Sequence, residues 1–180
     1  EDEGGNASAE GTGYNREHSW PSSWYNASGP AYTDVFMVYP TDNRVNNMRG
    51  SYPYGETDAP TWTSLNGSKR GPSSYPGYTG VVFEPIDEYK GDFARAYFYV
   101  TVRYYSEDGS WSSSGQTSRS QLLPWAVDML LEWHEADPVS EKEIDRNDEV
   151  YDIQGNRNPF IDRSDFVLKV FRPEQSPVAE

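Results

Sequence analysis

Tyr14-Asn15-Arg16-Glu17-His18-Ser19-Trp20-Pro21-Ser22-Ser23-Trp24 holds one of only two histidines in the chain, with a carboxylate and a guanidinium directly before it. These are the parts of a phosphodiester-cleaving site. A group that titrates near neutrality can take a proton from water. A cation offsets the charge that builds on phosphate. On spacing alone, a polar surface strand that happens to carry a histidine explains the stretch more simply.

Composition bounds the reading. At 180 residues the chain fits one domain with a real core. Only 35% of it is hydrophobic, but it contains six tryptophans, 14 tyrosines and seven phenylalanines. Such side chains bury far more area than alanine, so the core is expected to be aromatic. The formal net charge is −14. That balance argues against a tight, non-specific nucleic-acid binder, because phosphate affinity comes largely from Lys and Arg. It leaves room for an enzyme that holds its substrate briefly. There are no cysteines, hence no disulfides and too few soft ligands for zinc. No apolar run reaches membrane-spanning length, and the start, Glu-Asp-Glu, shows no leader pattern and reads as a trimmed end. The Asn-x-Ser triplets at Asn6, Asn26 and Asn66 are put down to a composition rich in Ser and Asn.

The wording of the opening stretch, from Asn15 to Trp24, resembles the signature of the bacterial endonuclease I family, secreted or periplasmic nucleases of the His-Me finger (ββα-metal) type. The likeness continues in order through Thr33-Asp34-Val35, Tyr39-Pro40-Thr41-Asp42, Val45-Asn46-Asn47-Met48-Arg49 and Tyr52-Pro53-Tyr54-Gly55-Glu56. Beyond these come Phe83-Glu84-Pro85, Lys90-Gly91-Asp92, Ala94-Arg95-Ala96-Tyr97, Trp133-His134, Asp137-Pro138-Val139-Ser140 and Gln154 to Asp162. The resemblance implies an α+β fold with a ββα-metal core and additional helices, shortened at its N-terminus. It also implies a secreted or periplasmic, monomeric endonuclease that is largely non-specific for sequence. DNA is the implied substrate, with RNA a second candidate, and the products carry 5′-phosphate ends. Mg²⁺ is the implied cofactor, with Mn²⁺ or Ca²⁺ as substitutes.

Residues 1–13 are rich in Gly, Ala and acids and read as an arm or loop, followed by a nuclease domain over 14–172 and a tail over 173–180. Tyr14 to Ser19 reads as a short strand, ended near Pro21. Val35 to Tyr39 reads as a buried strand, and Thr41 to Arg49 as a short helix capped by Thr41. Residues 50–77 read as a long loop, and Gly80 to Glu84 as a strand. Gly91 to Ser106 fits strand and helix about equally; the resemblance favours helix. After a Ser/Gly linker, Gln121 to Ala136 is the clearest helix. A capping box at Ser140 and Glu143 opens the next one, which Gly155 ends. Asn156 to Asp162 reads as a loop, and Asp165 to Phe171 as a last helical turn or two.

For the site, the resemblance implies His18 as general base and Asn46 as a metal ligand alongside Glu17, Asn47 being the neighbouring rival. Mg²⁺ prefers oxygen and keeps several waters, which suits one carboxylate and one amide. Arg49 and Arg95 are candidates to hold the scissile phosphate or the leaving oxygen, since guanidinium grips phosphate bidentately; salt bridges to carboxylates are the competing explanation. Arg16 and Arg157 are weaker candidates for substrate binding. Asp34 could orient His18 or serve as a buried structural carboxylate. His134 reads as a packed or capping residue. The chain departs from the family at Phe36 and Met37, where one or two histidines are common, at Gly50-Ser51, and at Arg163. The same aromatic, acidic composition also suits a non-catalytic extracellular module whose Tyr and Trp stack on sugars or bases.

Overall fold

The computed structural model describes residues 8–175. The chain forms β1 (Tyr14–His18), β2 (Val38–Asp42), α1 (Asn43–Arg49), β3 (Trp62–Thr63), β4 (Lys69–Pro72) and β5 (Val81–Glu84). Then follow α2 (Lys90–Arg103), β6 (Thr117–Ser118), β7 (Gln121–Leu122), α3 (Pro124–Ala136), α4 (Glu141–Gln154), α5 (Pro159–Asp162) and α6 (Phe166–Phe171). Helices and small antiparallel sheets make an α+β protein: β1 pairs with β2, β4 lies between β3 and β5, and β6 pairs with β7. Among the described residues, no helix is long and apolar enough to cross a membrane.

The β1–β2 pair runs from Tyr14 opposite Asp42 to His18 opposite Val38, and α1 leaves directly from the end of β2. Alternation along β1 leaves Arg16 exposed and turns Glu17 inward. Asp42, not the expected Thr41, caps α1: its Oδ1 accepts from the N–H groups of Arg44 and Val45 at 2.8 and 3.0 Å. Its other oxygen accepts from the Gly11 N–H at 2.7 Å. Of the expected arm, residues 1–7 lie outside the described residues. Residues 8–13 lie against the strand pair and the β3–β4 turn, where Glu10 accepts from the Leu65 N–H at 2.7 Å.

Val35–Met37 is a single 3₁₀ turn rather than the start of a strand. Phe36 and Met37 are both buried, and the turn closes where the Met37 N–H donates to the Asp34 carbonyl at 3.0 Å and the Val38 N–H to the Val35 carbonyl. The turn is capped by Asp34, whose Oδ1 accepts from the Phe36 N–H at 3.1 Å. Asp34 is a structural hub. Its Oδ2 accepts from the hydroxyls of Tyr99 and Tyr104, each at 2.7 Å, and its Oδ1 also accepts from the Gln154 amide at 3.0 Å. One carboxylate thus ties the segment after β1 to α2 and α4.

The ambiguous stretch is α2. Every residue from Gly91 to Thr101 is buried, so no polar face marks the helical period. It packs against α3 and α5 and runs beneath an aromatic cluster in which Trp20 lies 4.8 Å from Tyr97 and 5.9 Å from both Trp24 and Trp111. Gly91 is required where α2 starts. A Cβ there would collide with the Asp137 carbonyl, while its N–H donates to the Asp137 carboxylate at 2.8 Å.

The remaining differences from the expected elements have local causes. Gln121–Leu122 is strand, and α3 begins only at Pro124, which fits the first helical turn. The long loop contains β3 and β4. Asn158 caps a short helix, α5, inside the expected 156–162 loop. The capping box at Ser140 and Glu143 is present, and Gly155 ends α4 with φ of 79°.

Replacing Asp34 should therefore be costly. Asp34→Ala leaves two phenols, an amide and a backbone N–H without their acceptor, and an expected loss of about 3–5 kcal/mol follows. Urea unfolding followed by tryptophan fluorescence measures it; a loss below about 1 kcal/mol would remove the hub role.

Candidate active site

His18 ends β1 half-buried, its ring stacked on Tyr32 with centroids 5.0 Å apart and planes 12° from parallel. Its Nε2 lies 3.1 Å from the Tyr32 carbonyl oxygen. A carbonyl only accepts, so the proton of the neutral ring sits on Nε2 and the Nδ1 lone pair is available as a base. Burial, helped by Arg16 and Arg49 and opposed by the Tyr32 bond, lowers the imidazole below its ordinary 6.5 and favours the neutral form.

Glu17 points the other way, into a buried pair with Arg49. Their Oε1 and Nη1 are 2.9 Å apart, and both side chains are almost entirely enclosed. The contact is an ion pair without hydrogen-bond geometry, so Oε1 is left with no hydrogen bond. Burial pushes the Glu17 carboxyl up to about 7, with Arg49 pulling it down. The Arg49 guanidinium also donates to the carbonyls of His18 and Gly50 at 3.1 and 3.3 Å, and to that of Ser19 at 2.5 Å. It lies 4.6 Å over the Tyr54 ring.

Asn46 projects from α1 toward β1. Its Nδ2 donates to Asn15 Oδ1 at 2.5 Å and to the Arg16 carbonyl at 3.2 Å. With the nitrogen committed, Oδ1 is the end left for a ligand. Asn47, the rival, is exposed and donates back to Asn43 at 3.3 Å. Glu17, Asn46 and Arg49 form a partition between two cavities. One, of about 120 Å³, is polar and also lined by Arg16, His18, Ser22 and Ser51. The other, of about 220 Å³, has a mixed lining that includes Tyr39, Tyr54, Phe83, Tyr89 and Phe93 along with Asp42, Asn66 and Ser68.

The family model described as Endonuclease I matches residues 1–165. The chain belongs to the endonuclease I family. It is 37% identical over 167 residues to a protein named extracellular ribonuclease from Bacillus amyloliquefaciens, covering 88% of this chain and 54% of that one. A protein of the same name from Bacillus subtilis (strain 168) is 35% identical over 167 residues, with the same coverage. Endonuclease-1 of Buchnera aphidicola subsp. Baizongia pistaciae (strain Bp) is 26% identical over 129 residues, covering 72% of this chain and 46% of that one. The chain thus spans about half the length of these relatives.

Within this endonuclease I chain, the other expected site residues divide. Arg16 is on the rim of the smaller cavity. Arg49 is at its floor, but its guanidinium is spent on three carbonyls and Glu17, which makes it a positioning residue. Arg95 is a correction. It is 0% exposed, and its Nε and Nη2 each donate to the Glu143 carboxylate at 2.6 Å. Its Nη1 donates to the Asp137 carbonyl at 2.8 Å and to His134 Nδ1 at 3.2 Å. No phosphate can reach it; the motif around Arg95 serves the core. Arg157 is likewise committed, to Asp148 at 2.6 Å and Asp162 at 2.8 Å, and lines neither cavity. Asp34 does not orient His18; the Tyr32 carbonyl does. Sequence reasoning missed Tyr32 and Asn15, because one acts through its backbone and the other meets Asn46 only after folding.

Among the described residues there is no group of three or more His, Cys, Asp and Glu side chains that could hold a metal. The donor set nevertheless fits a hard cation that keeps its water: the buried Glu17 Oε1, 2.9 Å from Arg49 Nη1 but without a hydrogen bond, and an amide oxygen set by the bonds of its own nitrogen.

Two measurements follow from Arg95. Breaking its buried pair with Arg95→Met should cost about 3–5 kcal/mol in urea unfolding, while Arg95→Met combined with Glu143→Leu should recover much of that. His134 gives a pH signature. Burial first, and then Arg95, push it down from 6.5 to about 4. Unfolded chains bind this proton first, so stability present above about pH 6.5 is lost as pH falls toward 4. His134→Gln should lose about 1–2 kcal/mol less over that interval, after discounting for partial exposure.

Proposed function

We propose that this protein is a metal-dependent endonuclease that hydrolyses phosphodiester bonds with little sequence preference, and that β1, β2 and α1 form a ββα-metal finger. The observation that carries the reading is that His18, Glu17 and Asn46 all line the smaller, polar cavity, with Nε2 of His18 tied to a carbonyl and Nδ1 available. His18 Nδ1 takes a proton from the attacking water. Glu17 and the Asn46 amide oxygen would hold a divalent cation such as Mg²⁺, with Mn²⁺ or Ca²⁺ as substitutes, which would supply Lewis-acid offset of negative charge on the phosphate. Water forms the new P–O bond as the P–O3′ bond breaks, so the 3′ oxygen leaves and takes up a proton, and the phosphate remains on the 5′ oxygen, giving 3′-hydroxyl and 5′-phosphate ends.

Nothing in this scheme uses a 2′-hydroxyl, so RNA and DNA are both substrates. Two relatives named extracellular ribonuclease and one named endonuclease agree with that breadth, and with action outside the cell. Arg16 supports the substrate backbone at the rim of the cavity. Arg49 acts one step back, by fixing the carbonyls of His18 and Ser19.

Plasmid DNA and a structured RNA, each incubated with Mg²⁺ or EDTA, test the reading. EDTA should abolish cleavage of both, and His18→Ala should lower it about 10²–10⁴-fold. Undiminished cleavage by His18→Ala would sink the assignment of the base. Asn15→Ala frees the Asn46 amide to turn, so it should raise the Mg²⁺ concentration for half-maximal rate about 10–100-fold.

A further inference from the structure

The larger cavity is not used by the hydrolytic scheme, yet it shares Glu17, Asn46 and Arg49 with the smaller one. At about 220 Å³ it is below the size of drug-sized ligand sites and suits a single planar ring system. Its lining runs from the enclosed Tyr54 and Phe93, through the half-buried Tyr39, to the exposed Tyr89 and Asn66. The walls are fixed before any ligand arrives: Tyr54 stacks on Phe93 at 4.8 Å, and Tyr39 meets Phe93 edge-on at 5.0 Å.

Asn66 adds direction. Its Oδ1 accepts from the Ser64 hydroxyl, from the Ser68 hydroxyl at 3.4 Å and from the Ser68 N–H at 3.5 Å. The oxygen is consumed, so the Nδ2 hydrogens are the end offered to a ligand. The turn that carries Asn66 is held by the bond from Leu65 N–H to Glu10. An aromatic slot with one oriented donor at its mouth, opening off a phosphate-handling partition, has the chemistry of a base site.

We propose that this cavity takes an unpaired nucleobase of the strand being cut, with its ring against the aromatic walls and an acceptor on its edge facing Asn66 Nδ2. The proposal rests on the nuclease reading. A base in a duplex must first be unstacked to enter, which costs free energy that a single strand does not spend. Single-stranded or locally unpaired substrate is therefore bound in preference to duplex.

The test is binding by the His18→Ala protein in Ca²⁺, read by fluorescence anisotropy. The probes are a labelled single-stranded oligonucleotide, the same sequence as duplex, and an abasic strand of equal length. Adding Tyr89→Ala should weaken single-strand binding about 5- to 100-fold, since Tyr89 is the aromatic ring of the lining most open to an incoming base. Adding Asn66→Ala should weaken it about 3- to 10-fold. Both should leave duplex and abasic binding within twofold. Both side chains are at the surface, so an unchanged thermal midpoint confirms folding. Unchanged single-strand affinity in both variants, or equal loss on all three probes, overturns the base site. Cleavage by the unsubstituted protein is scored separately. If cleavage is absent while the stacking difference persists, the nuclease reading fails and the base site stands.

Discussion

Everything at the site hangs on the enclosed pair between Glu17 and Arg49. Two opposite charges taken out of water are costly, and their attraction compensates only when further polar partners surround them. Arg49 collects those partners: carbonyls at His18, Ser19 and Gly50, the Tyr97 hydroxyl and the face of Tyr54. Through these contacts it fixes the end of β1, the end of α1 and the adjoining face of α2 relative to one another, although its buried Nε makes no hydrogen bond. Burial works against its charge, but Glu17, Tyr54 and Tyr97 outweigh that and keep it protonated. The aromatic richness of the chain thus has a specific use. Tyrosine offers a large apolar body and a polar tip, which lets a core of low hydrophobic content hold a buried ion pair.

The same logic of committed ends sets the reacting groups. His18, Asn46 and Asn66 each have two chemically different ends, and in each the fold occupies one of them. Tyr32 takes Nε2 of the imidazole, Asn15 and Arg16 take the nitrogen of one amide, and Ser64 and Ser68 take the oxygen of the other. What remains is one base, one oxygen and one nitrogen, each with a fixed orientation. Such supporting contacts matter as much as the reacting atoms, because a ring or amide free to flip presents the wrong end half the time.

How far this was legible in the sequence follows from what each residue depends on. The Asn-Arg-Glu-His stretch placed Glu17 and His18 correctly at the end of a strand, and the motif register picked Asn46 over Asn47. The amphipathic α3 and the capping box of α4 carried their own local signals. The failures were of two kinds. Some elements take their shape from a distant partner, as Val35–Met37 does from α2 and α4 through Asp34. Others present the same residue type for opposite purposes: Arg95, on α2, and Arg16, next to Glu17 and His18, both read as phosphate partners. Only packing reveals that one is sealed against Glu143 while the other is on a cavity rim.

The acidic balance then becomes part of the chemistry. Arg49, Lys90, Arg95, Lys142, Arg157, Arg163 and Lys169 are all within ion pairs of this protein. Cations already neutralised release few counterions when a polyanion arrives, so electrostatic retention of substrate is weak. In the proposed scheme the grip would come from elsewhere: from a cation held by Glu17 and Asn46, and from a base seated in the cavity next to it. Both contacts are short-ranged and local to one nucleotide. Such an enzyme gives up the sliding that a basic surface provides, and in exchange lets its cleaved ends go.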